Sequence, residues 1–267
     1  AVQGDYAYLA TDTGDVLVVD VGDPLTATVV HTVSTGQPLS SVAADGDTLY
    51  AGASGLIDMI DISDPESAVD LPTGIPTSGA VTNTGITVSG DLLYVQRSSS
   101  DFIVLDITTP SSPVERFTDE PNATGISLAN GFAAVGYVDG VRFYNVSDPT
   151  DIYATREVGT PGWAQESVWF DSYHITRTSS EVVIIDASAF LPVSSEYDTG
   201  LPYAADLFSG SYLVTAPGGS GEAPQIYGEQ EPPFGAPLGT IDSPEGRYPL
   251  DLAIVGEYGF VGTFNGI

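Results

Sequence analysis

The sequence predicts an all-β fold, a β-propeller of about seven four-stranded blades with six complete repeats and a partial one. Two observations lead to this prediction. A short apolar run ending in Asp or Asn recurs at intervals of 41, 45, 39 and 41 residues, and no segment has a helical period of useful length. Repeats near 40 residues that contain four strands are typical of propeller blades.

The apolar run is the third strand of each predicted repeat. Its copies are Val16–Asp20, Ile57–Asp61, Phe102–Asp106, Val141–Asn145 and Val182–Asp186, with a degenerate copy at Pro224–Tyr227. Turns follow several copies, at Asp23-Pro24, Asp64-Pro65, Thr109-Pro110 and Asp148-Pro149. Proline fixes φ, and the side chain before it can bond to nearby backbone, so these dipeptides end a strand and begin a turn.

The other strands surround this run. Hairpin signals precede the second strand, as in Gly46-Asp47 and Gly90-Asp91, and aromatic or aliphatic residues follow them. A first strand such as Ile86–Ser89 lies just upstream, and a more polar fourth strand such as Thr28–Val33 follows the proline turn. Each repeat is therefore predicted to be a four-stranded antiparallel meander.

The pattern of the third strand favours a propeller over the alternatives. Val16–Val19 is apolar without alternation, which indicates burial on both faces, as radial stacking of blades provides. A sandwich or a β-solenoid is the competing architecture. Sandwiches rarely repeat at a fixed interval, and solenoid repeats are usually shorter.

Three phrases carry a resemblance to a known family. They are Leu17-Val-Val-Asp20, Ile60-Asp-Ile-Ser-Asp-Pro65 and Asn145-Val-Ser-Asp-Pro149. They resemble the consensus of the LVIVD repeat family, which occurs in secreted and surface proteins of bacteria and archaea and is described as a β-propeller. The resemblance implies this fold and a surface location, and it implies no reaction. The sixth repeat departs from the consensus at 218–221 and 229–233.

We predict a single propeller domain over residues 1–267. Its approximate repeats are 1–38, 39–83, 84–122, 123–162, 163–202, 203–248 and an incomplete 249–267. The first unit begins with a shortened strand at Ala1–Gln3, and the last stops at Asn265–Ile267, where an apolar run is expected. We therefore expect the chain to be part of a longer protein, with a ring that closes through a thin blade as the alternative.

The charge composition excludes several partners. The chain has 36 acidic residues against 6 basic ones, all arginine, and a formal net charge of −30. Its field repels phosphate, so we expect no binding to nucleic acid or to an anionic membrane surface. Scattered acids without lysine favour a protein from a high-salt organism, with an ordinary acidic secreted bacterial protein as the alternative, because concentrated salt screens the self-repulsion.

The sequence also bears on location. Cysteine is absent, which excludes disulfides, and no apolar run is long enough to span a membrane. We expect an extracellular or cell-surface protein with no membrane insertion in this segment. Two sequons, at Asn122 and Asn145, are glycosylation candidates if the protein is exported.

Few residues suggest catalytic chemistry. His31 and His174 have no partner at metal-ligand spacing, and nucleophile-elbow, dinucleotide and P-loop motifs are absent. Without cysteine, a carboxylate site would suit calcium better than zinc. We predict no cofactor, with calcium as the alternative, and we name no catalytic residue.

One group of loops differs from the rest. The segments that enter the first strands of the later repeats are aromatic and charged, whereas those at 36–39 and 83–85 are small. Homologous positions in neighbouring blades lie side by side, so we predict a rim site for a sugar, cation or peptide, with ordinary loop variation as the alternative. Its candidate residues are Trp163, Gln165, Glu166, Tyr203, Asp206, Arg247, Tyr248 and Asp251.

Three functions are compatible with these features. The first is a non-catalytic scaffold or adhesion module that binds a protein or glycan. The second is a propeller hydrolase or lactonase with a calcium-bound water held by Glu166, Asp206 and Asp251. The third is a self-assembling subunit of a surface filament or layer.

The acidic surface predicts that salt stabilises the protein. Molar salt shortens the Debye length to ~3 Å and so weakens repulsion among the carboxylates. The melting temperature should rise between low salt and several molar chloride, as followed by circular dichroism. A melting temperature that stays flat or falls would contradict the high-salt interpretation.

Overall fold

The computed structural model describes residues 1–97, 101–110, 112–119, 122–170, 172–178, 182–197, 202–208, 212–217, 225–227, 239–240, 249–255 and 258–263. The chain divides into two compact units, one formed by 1–126 with 146–152 and the other by 127–145 with 153–267. The regular structure of the described residues is strand, apart from two short 3₁₀ helices, Pro24–Thr26 and Pro65–Ser67. The prediction of an all-β fold is therefore confirmed, whereas the single domain and its repeat boundaries stay predictions.

The first half of the chain forms two sheets. The first sheet consists, in order, of β1 (Val2–Gln3), β2 (Tyr6–Ala10), β3 (Asp15–Asp20) and β4 (Thr28–Ser34). The second contains β5 (Leu39–Asp45), β6 (Thr48–Asp61), β7 (Val69–Asp70), β8 (Ile75–Ser89), β9 (Leu92–Arg97), β10 (Phe102–Asp106) and β11 (Val114–Asp119). Its path runs β11-β10-β9-β8-β6-β5, and β7 pairs with β6.

The remaining strands form separate sheets of consecutive strands. One contains β12 (Gly125–Ala129), β13 (Phe132–Tyr137), β14 (Gly140–Asn145) and β15 (Tyr153–Gly159). The next contains β16 (Ala164–Phe170), β17 (Tyr173–Thr178), β18 (Val182–Asp186) and β19 (Leu191–Tyr197). Then come β20 (Pro202–Phe208), β21 (Tyr212–Pro217), β22 (Gln225–Tyr227) and β23 (Gly239–Thr240), followed by the pair β24 (Pro249–Val255) and β25 (Tyr258–Thr263).

The seven-stranded sheet contains two predicted repeats joined by one strand. The sequence predicts a loop at 83–85, but β8 runs from Ile75 to Ser89 without a break. Its beginning pairs with β6 and its end with β9, and the register with β9 shifts between Val81 and Ile86. Pairing partners at both ends keep the segment extended, and the Val and Thr residues within it favour that conformation.

Burial of the third strands confirms their predicted two-sided packing. The side chains of Phe102, Ile103, Val104 and Leu105 are all buried, although neighbouring residues in a strand point to opposite faces. Each large aliphatic side chain buried in this way contributes about 1.5–3 kcal/mol. The third strand of a sheet is therefore stable only when something covers both faces.

Aspartates at the ends of third strands make a repeated polar contact. One carboxylate oxygen accepts a hydrogen bond from the backbone N–H two residues later. These bonds join Asp20 to Gly22 (2.9 Å), Asp61 to Ser63 (2.9 Å), Asp106 to Thr108 (3.0 Å) and Asp186 to Ser188 (2.8 Å). The aspartate that ends the apolar run therefore forms an Asx turn at each of these four strands.

A backbone hydrogen bond ties the same strand ends to the preceding hairpins. The residue after the aspartate donates to a hairpin carbonyl in the pairs Val21–Asp5, Ile62–Asp47, Ile107–Asp91 and Ala187–Ser172. Gly46 and Gly90 open their two-residue hairpins at φ 56° in both cases, a conformation that favours glycine. The predicted hairpins thus accept a hydrogen bond that fixes the end of the apolar strand.

A buried histidine joins three strands of the second unit. His174 on β17 is fully buried, and its Nε2 lies 3.2 Å from Ser127 Oγ. Ser127 Oγ lies 2.9 Å from Ser167 Oγ on β16. The ring packs edge-on against Trp169 and Phe143, with centroids 5.1 and 5.3 Å away. Burial lowers the pKa of His174 to about 3, so the ring is neutral at pH 7.

We expect Asp106→Asn to lower stability at neutral pH. Hydrogen bonds from Thr108 and Arg116 lower the pKa of Asp106 to about 2. A depressed carboxylate pKa stabilises the fold above the unfolded value of about 3.9, and this contribution is lost as pH falls toward 2. Urea unfolding should show a wild-type advantage at pH 7 that shrinks below pH 4. Asp151→Asn, at another exposed aspartate, is the control, and equal effects of both variants would contradict the assignment.

Burial of His174 predicts that stability also depends on pH in a second, higher pH range. Its folded pKa lies below the unfolded value of about 6.5, so the unfolded chain binds the extra proton and stability falls as pH drops below 6.5. The slope is at most about 1.4 kcal/mol per pH unit. His174→Phe should remove this component, as measured by urea unfolding at pH 7, 6 and 5. Ser127→Ala, which keeps the imidazole, should retain it. A slope unchanged in His174→Phe would show that the component arises elsewhere.

Candidate functional site

The described residues of the predicted rim lie in, or just before, the first strands of their sheets. Each four-stranded sheet has one end at which its fourth strand connects to the first strand of the next repeat. We call this end of a sheet the crossover end. Residues 35–38 form this connection between β4 and β5, and residues 160–163 form it between β15 and β16. Trp163 is the last residue before β16, as the sequence predicts.

The Trp163 side chain is exposed on a short and well-bonded turn. Its exposed fraction is 55%. The Thr160 N–H donates to the Asp139 carbonyl at 3.1 Å, and the Thr160 hydroxyl donates to the Gly162 carbonyl at 3.0 Å. Gly162 has φ 85°, in the region that favours glycine. The indole is therefore displayed to solvent by a fixed backbone rather than packed among the strands.

Aromatic and charged side chains lie on the adjoining strands of the same unit. The Arg142 guanidinium carbon lies 5.7 Å from the centre of the Tyr137 ring. Arg142 Nε donates to Glu157 Oε1 at 2.5 Å, and Glu157 is paired with Arg142 in the sheet register. Asp139 is exposed in the hairpin between β13 and β14. We call Tyr137, Asp139, Arg142, Glu157 and Trp163 the Trp163 surface.

Electrostatics link these groups. Burial raises the pKa of Tyr137, the Glu157 carboxylate raises it further, the Arg142 charge opposes the rise, and Asp139 adds a smaller increase. Both carboxylates therefore act on the Tyr137 hydroxyl. The loop pattern in the sequence predicts Trp163 but not Tyr137, Asp139, Arg142 and Glu157, because those four residues lie within a hairpin and its strands and not in the segment that enters a first strand. Strand pairing is what brings them together.

First strands carry an irregularity at the crossover end. The register shifts between Leu39 and Ser41 in β5, Ala164 and Ser167 in β16, Pro202 and Ala204 in β20, and Pro249 and Asp251 in β24. In β5 the extra residue is Ser40, whose hydroxyl donates to the Val81 carbonyl at 2.8 Å. Bulges redirect side chains and are frequent near binding sites. Gln165, Glu166 and Tyr203 occupy the shifted positions.

The rest of the predicted rim is only partly described. Gln165 and Glu166 lie in β16, Tyr203 and Asp206 in β20, and Asp251 in β24, all by backbone position. Arg247 and Tyr248 lie outside the described residues. The convergence of these side chains with Trp163 stays a prediction, and so does the calcium site of Glu166, Asp206 and Asp251.

The two sequons lie in different environments. Asn122 is exposed with φ 56°, outside the strands. Asn145 is half-buried at the end of β14, and its Nδ2 lies 3.4 Å from the Tyr153 hydroxyl. A glycan on Asn145 would replace a hydrogen of the amide that makes this contact, whereas Asn122 presents its side chain to solvent. Glycosylation at either residue remains a prediction.

Acidic groups elsewhere do not assemble into a metal site among the described residues. No group of three or more His, Asp or Glu side chains there has the arrangement of a metal centre. Asp58 is buried in β6, and Gln37 Nε2 donates to its Oδ2 at 3.4 Å. Burial raises the pKa of Asp58, and burial, followed by the charge of Asp58, raises the pKa of Asp70. Within the described part of the chain, no helix has the length and apolar character of a membrane span.

Solved β-propellers share this fold. The β-propeller domain of Cps50 (Swd1) from Myceliophteria thermophila is similar with a TM-score of 0.74 and 11% identity, over 98% of this chain and 91% of that one. The WD40 propeller domain of Doa1 gives 0.72 and 13%, over 100% and 88%. A chain of the Mitotic Checkpoint Complex gives 0.75 and 13%, over 93% and 77%. These likenesses and the four-stranded sheets show that the fold is a β-propeller.

Sequence comparison identifies the repeat. No protein with a curated description matches the chain. The family model described as the LVIVD repeat matches residues 1–35 and 82–118. The first match spans β1 to β4, including the Asp20 turn, and the second includes β9, β10 and the Asp106 turn. The LVIVD repeat is therefore present in those two segments of the chain.

Proposed function

We propose that this chain is a non-catalytic protein-interaction module and that the Trp163 surface is its binding site. The observation that carries the proposal is the 55% exposure of Trp163 on a turn fixed by hydrogen bonds. Exposing an indole leaves apolar area in water, and the fixed turn lowers the entropy lost when a partner covers it.

The composition of the surface supports a protein partner. Trp, Tyr and Arg are the residues most enriched among the binding hot spots of protein interfaces, and Trp163, Tyr137 and Arg142 supply all three. Polar groups around such an interface add hydrogen bonds that make the binding specific. One of the chains with the same fold is a component of the Mitotic Checkpoint Complex, a protein assembly. We extend only this mode of use, binding another protein through a propeller, to the present chain.

The proposed place of action is the outside of a salt-adapted cell. The net charge of −30 and the absence of lysine and cysteine support it, together with the sequon at exposed Asn122. At high salt, long-range attraction between charged partners is screened, so a partner has to be held by short-range contacts. An exposed indole on a fixed turn supplies contacts of that kind.

We expect Trp163→Ala to abolish capture of the partner. Immobilised wild-type protein should retain a specific protein from surface extracts of the source organism in about molar salt, and the variant should retain at least tenfold less, as measured by quantitative mass spectrometry. The physical reason is the loss of the largest exposed apolar contact of this surface. Leu25→Ala is the matched control, because Leu25 is 86% exposed on a 3₁₀ helix of the other compact unit.

Fluorescence separates a binding defect from misfolding. The chain has two tryptophans, and Trp169 packs against Phe143 and His174. Trp163→Ala should keep the Trp169 emission and lose the component that acrylamide quenches readily. Equal capture by wild type, Trp163→Ala and Leu25→Ala would refute the proposed function. Calcium-dependent hydrolysis of a lactone by the wild-type protein would instead support an enzyme.

A further inference from the structure

We propose that the Trp163 surface recognises a cationic polypeptide segment, one that presents Lys or Arg side chains. This inference rests on the proposed function and specifies the chemistry of the partner. Its basis is that Trp163 and Asp139 are both exposed, on a turn and a hairpin that the hydrogen bond from Thr160 N–H to the Asp139 carbonyl joins. Arg142, on the strand after the same hairpin, already lies over an aromatic ring. An indole face with a carboxylate beside it is a combination that attracts ammonium and guanidinium groups.

Arg142 shows how the surface holds a cation. Its guanidinium lies over the Tyr137 ring and forms an ion pair with Glu157 at the same time. The side chain of Arg142 is 24% exposed and that of Glu157 49% exposed, so this arrangement lies at the boundary with solvent. The aromatic ring attracts the positive charge through its quadrupole, and the carboxylate neutralises it.

Trp163 and Asp139 are a second aromatic residue and a second carboxylate, on neighbouring segments of the same unit. The Asp139 carbonyl accepts the Thr160 N–H, which fixes the hairpin against the turn that carries Trp163. Both side chains are exposed. A Lys or Arg side chain entering here could lay its apolar stem on the indole and direct its charge toward the Asp139 carboxylate.

The overall charge selects the same partner. A chain with 36 acidic and 6 basic residues attracts cationic segments and repels anionic ones over distances up to the Debye length. This general attraction does not by itself select a site, because acidic residues occur throughout the chain. Selection comes from the indole, whose contact with a cation persists at salt concentrations that screen exposed charges.

Peptide binding tests the inference. The probe is a fluorescein-labelled peptide of alternating Ser and Lys, compared with the same peptide after acetylation of every lysine. Fluorescence anisotropy should be measured in about 0.1 M and about 2 M chloride, where the Debye length falls from ~10 Å to a few ångströms. The lysine peptide should bind the wild type in both, and the acetylated peptide should bind at least tenfold more weakly.

Matched variants separate the site from diffuse attraction. Trp163→Ala should weaken binding roughly tenfold and Asp139→Asn roughly threefold to tenfold. Leu25→Ala and Asp151→Asn remove an exposed apolar side chain and an exposed charge elsewhere, and both should stay within about twofold of the wild type. Trp169 emission again verifies that each variant is folded.

Each outcome has a definite meaning. Equal losses in Asp139→Asn and Asp151→Asn, with no loss in Trp163→Ala, would overturn the inference in favour of diffuse electrostatic attraction. Equal binding of the acetylated peptide would overturn it in favour of an apolar site. In either case the proposed function survives if capture of a surface protein still depends on Trp163. If neither capture nor peptide binding depends on Trp163, both proposals fail.

Discussion

Burial of the third strand on both faces is the constraint on which the rest of this structure depends. Consecutive residues such as Phe102, Ile103 and Val104 are buried although they point to opposite sides of their sheet. A single sheet covers neither of its own faces, so the repeat is stable only beside other repeats. The same demand explains why the fourth strands are more polar, since β11 and β15 have mostly exposed side chains and include charged residues.

The polar chemistry of the repeat follows from that constraint. Where a strand buried on both faces reaches its end, its backbone groups lose the partners that the neighbouring strand supplied. They then need other hydrogen-bond partners. The terminal aspartate supplies one acceptor, as at Asp61 and Asp186, and the hairpin carbonyl before it supplies another. The aspartate at the end of a third strand therefore has a structural role, the termination of the strand, and its presence does not indicate catalysis.

Much of the fold could be predicted from the sequence, and much of the candidate site could not. The third strands and their turns were predictable because Val16–Asp20 and its copies combine a run of apolar residues, a regular spacing and turn residues after the run. The continuous strand β8 was not, because residues 83–85 look like a loop until pairing on both sides is known. Trp163 was found by its position before a first strand, but Tyr137 and Arg142 meet through cross-strand register, which no local pattern reveals.

The acidic composition has two separable origins. Part of it belongs to the repeat, since Asp20, Asp106 and Asp148 each accept a backbone hydrogen bond in a turn. That use of aspartate accounts for some carboxylates but not for the absence of lysine, because a surface could balance structural aspartates with lysines at no cost to the turns. The absence of lysine therefore supports the proposed high-salt habitat more strongly than the number of carboxylates does. The arginines that replace lysine include Arg116, paired with Asp106, and Arg142, paired with Glu157, so these cations are held by specific contacts within the chain.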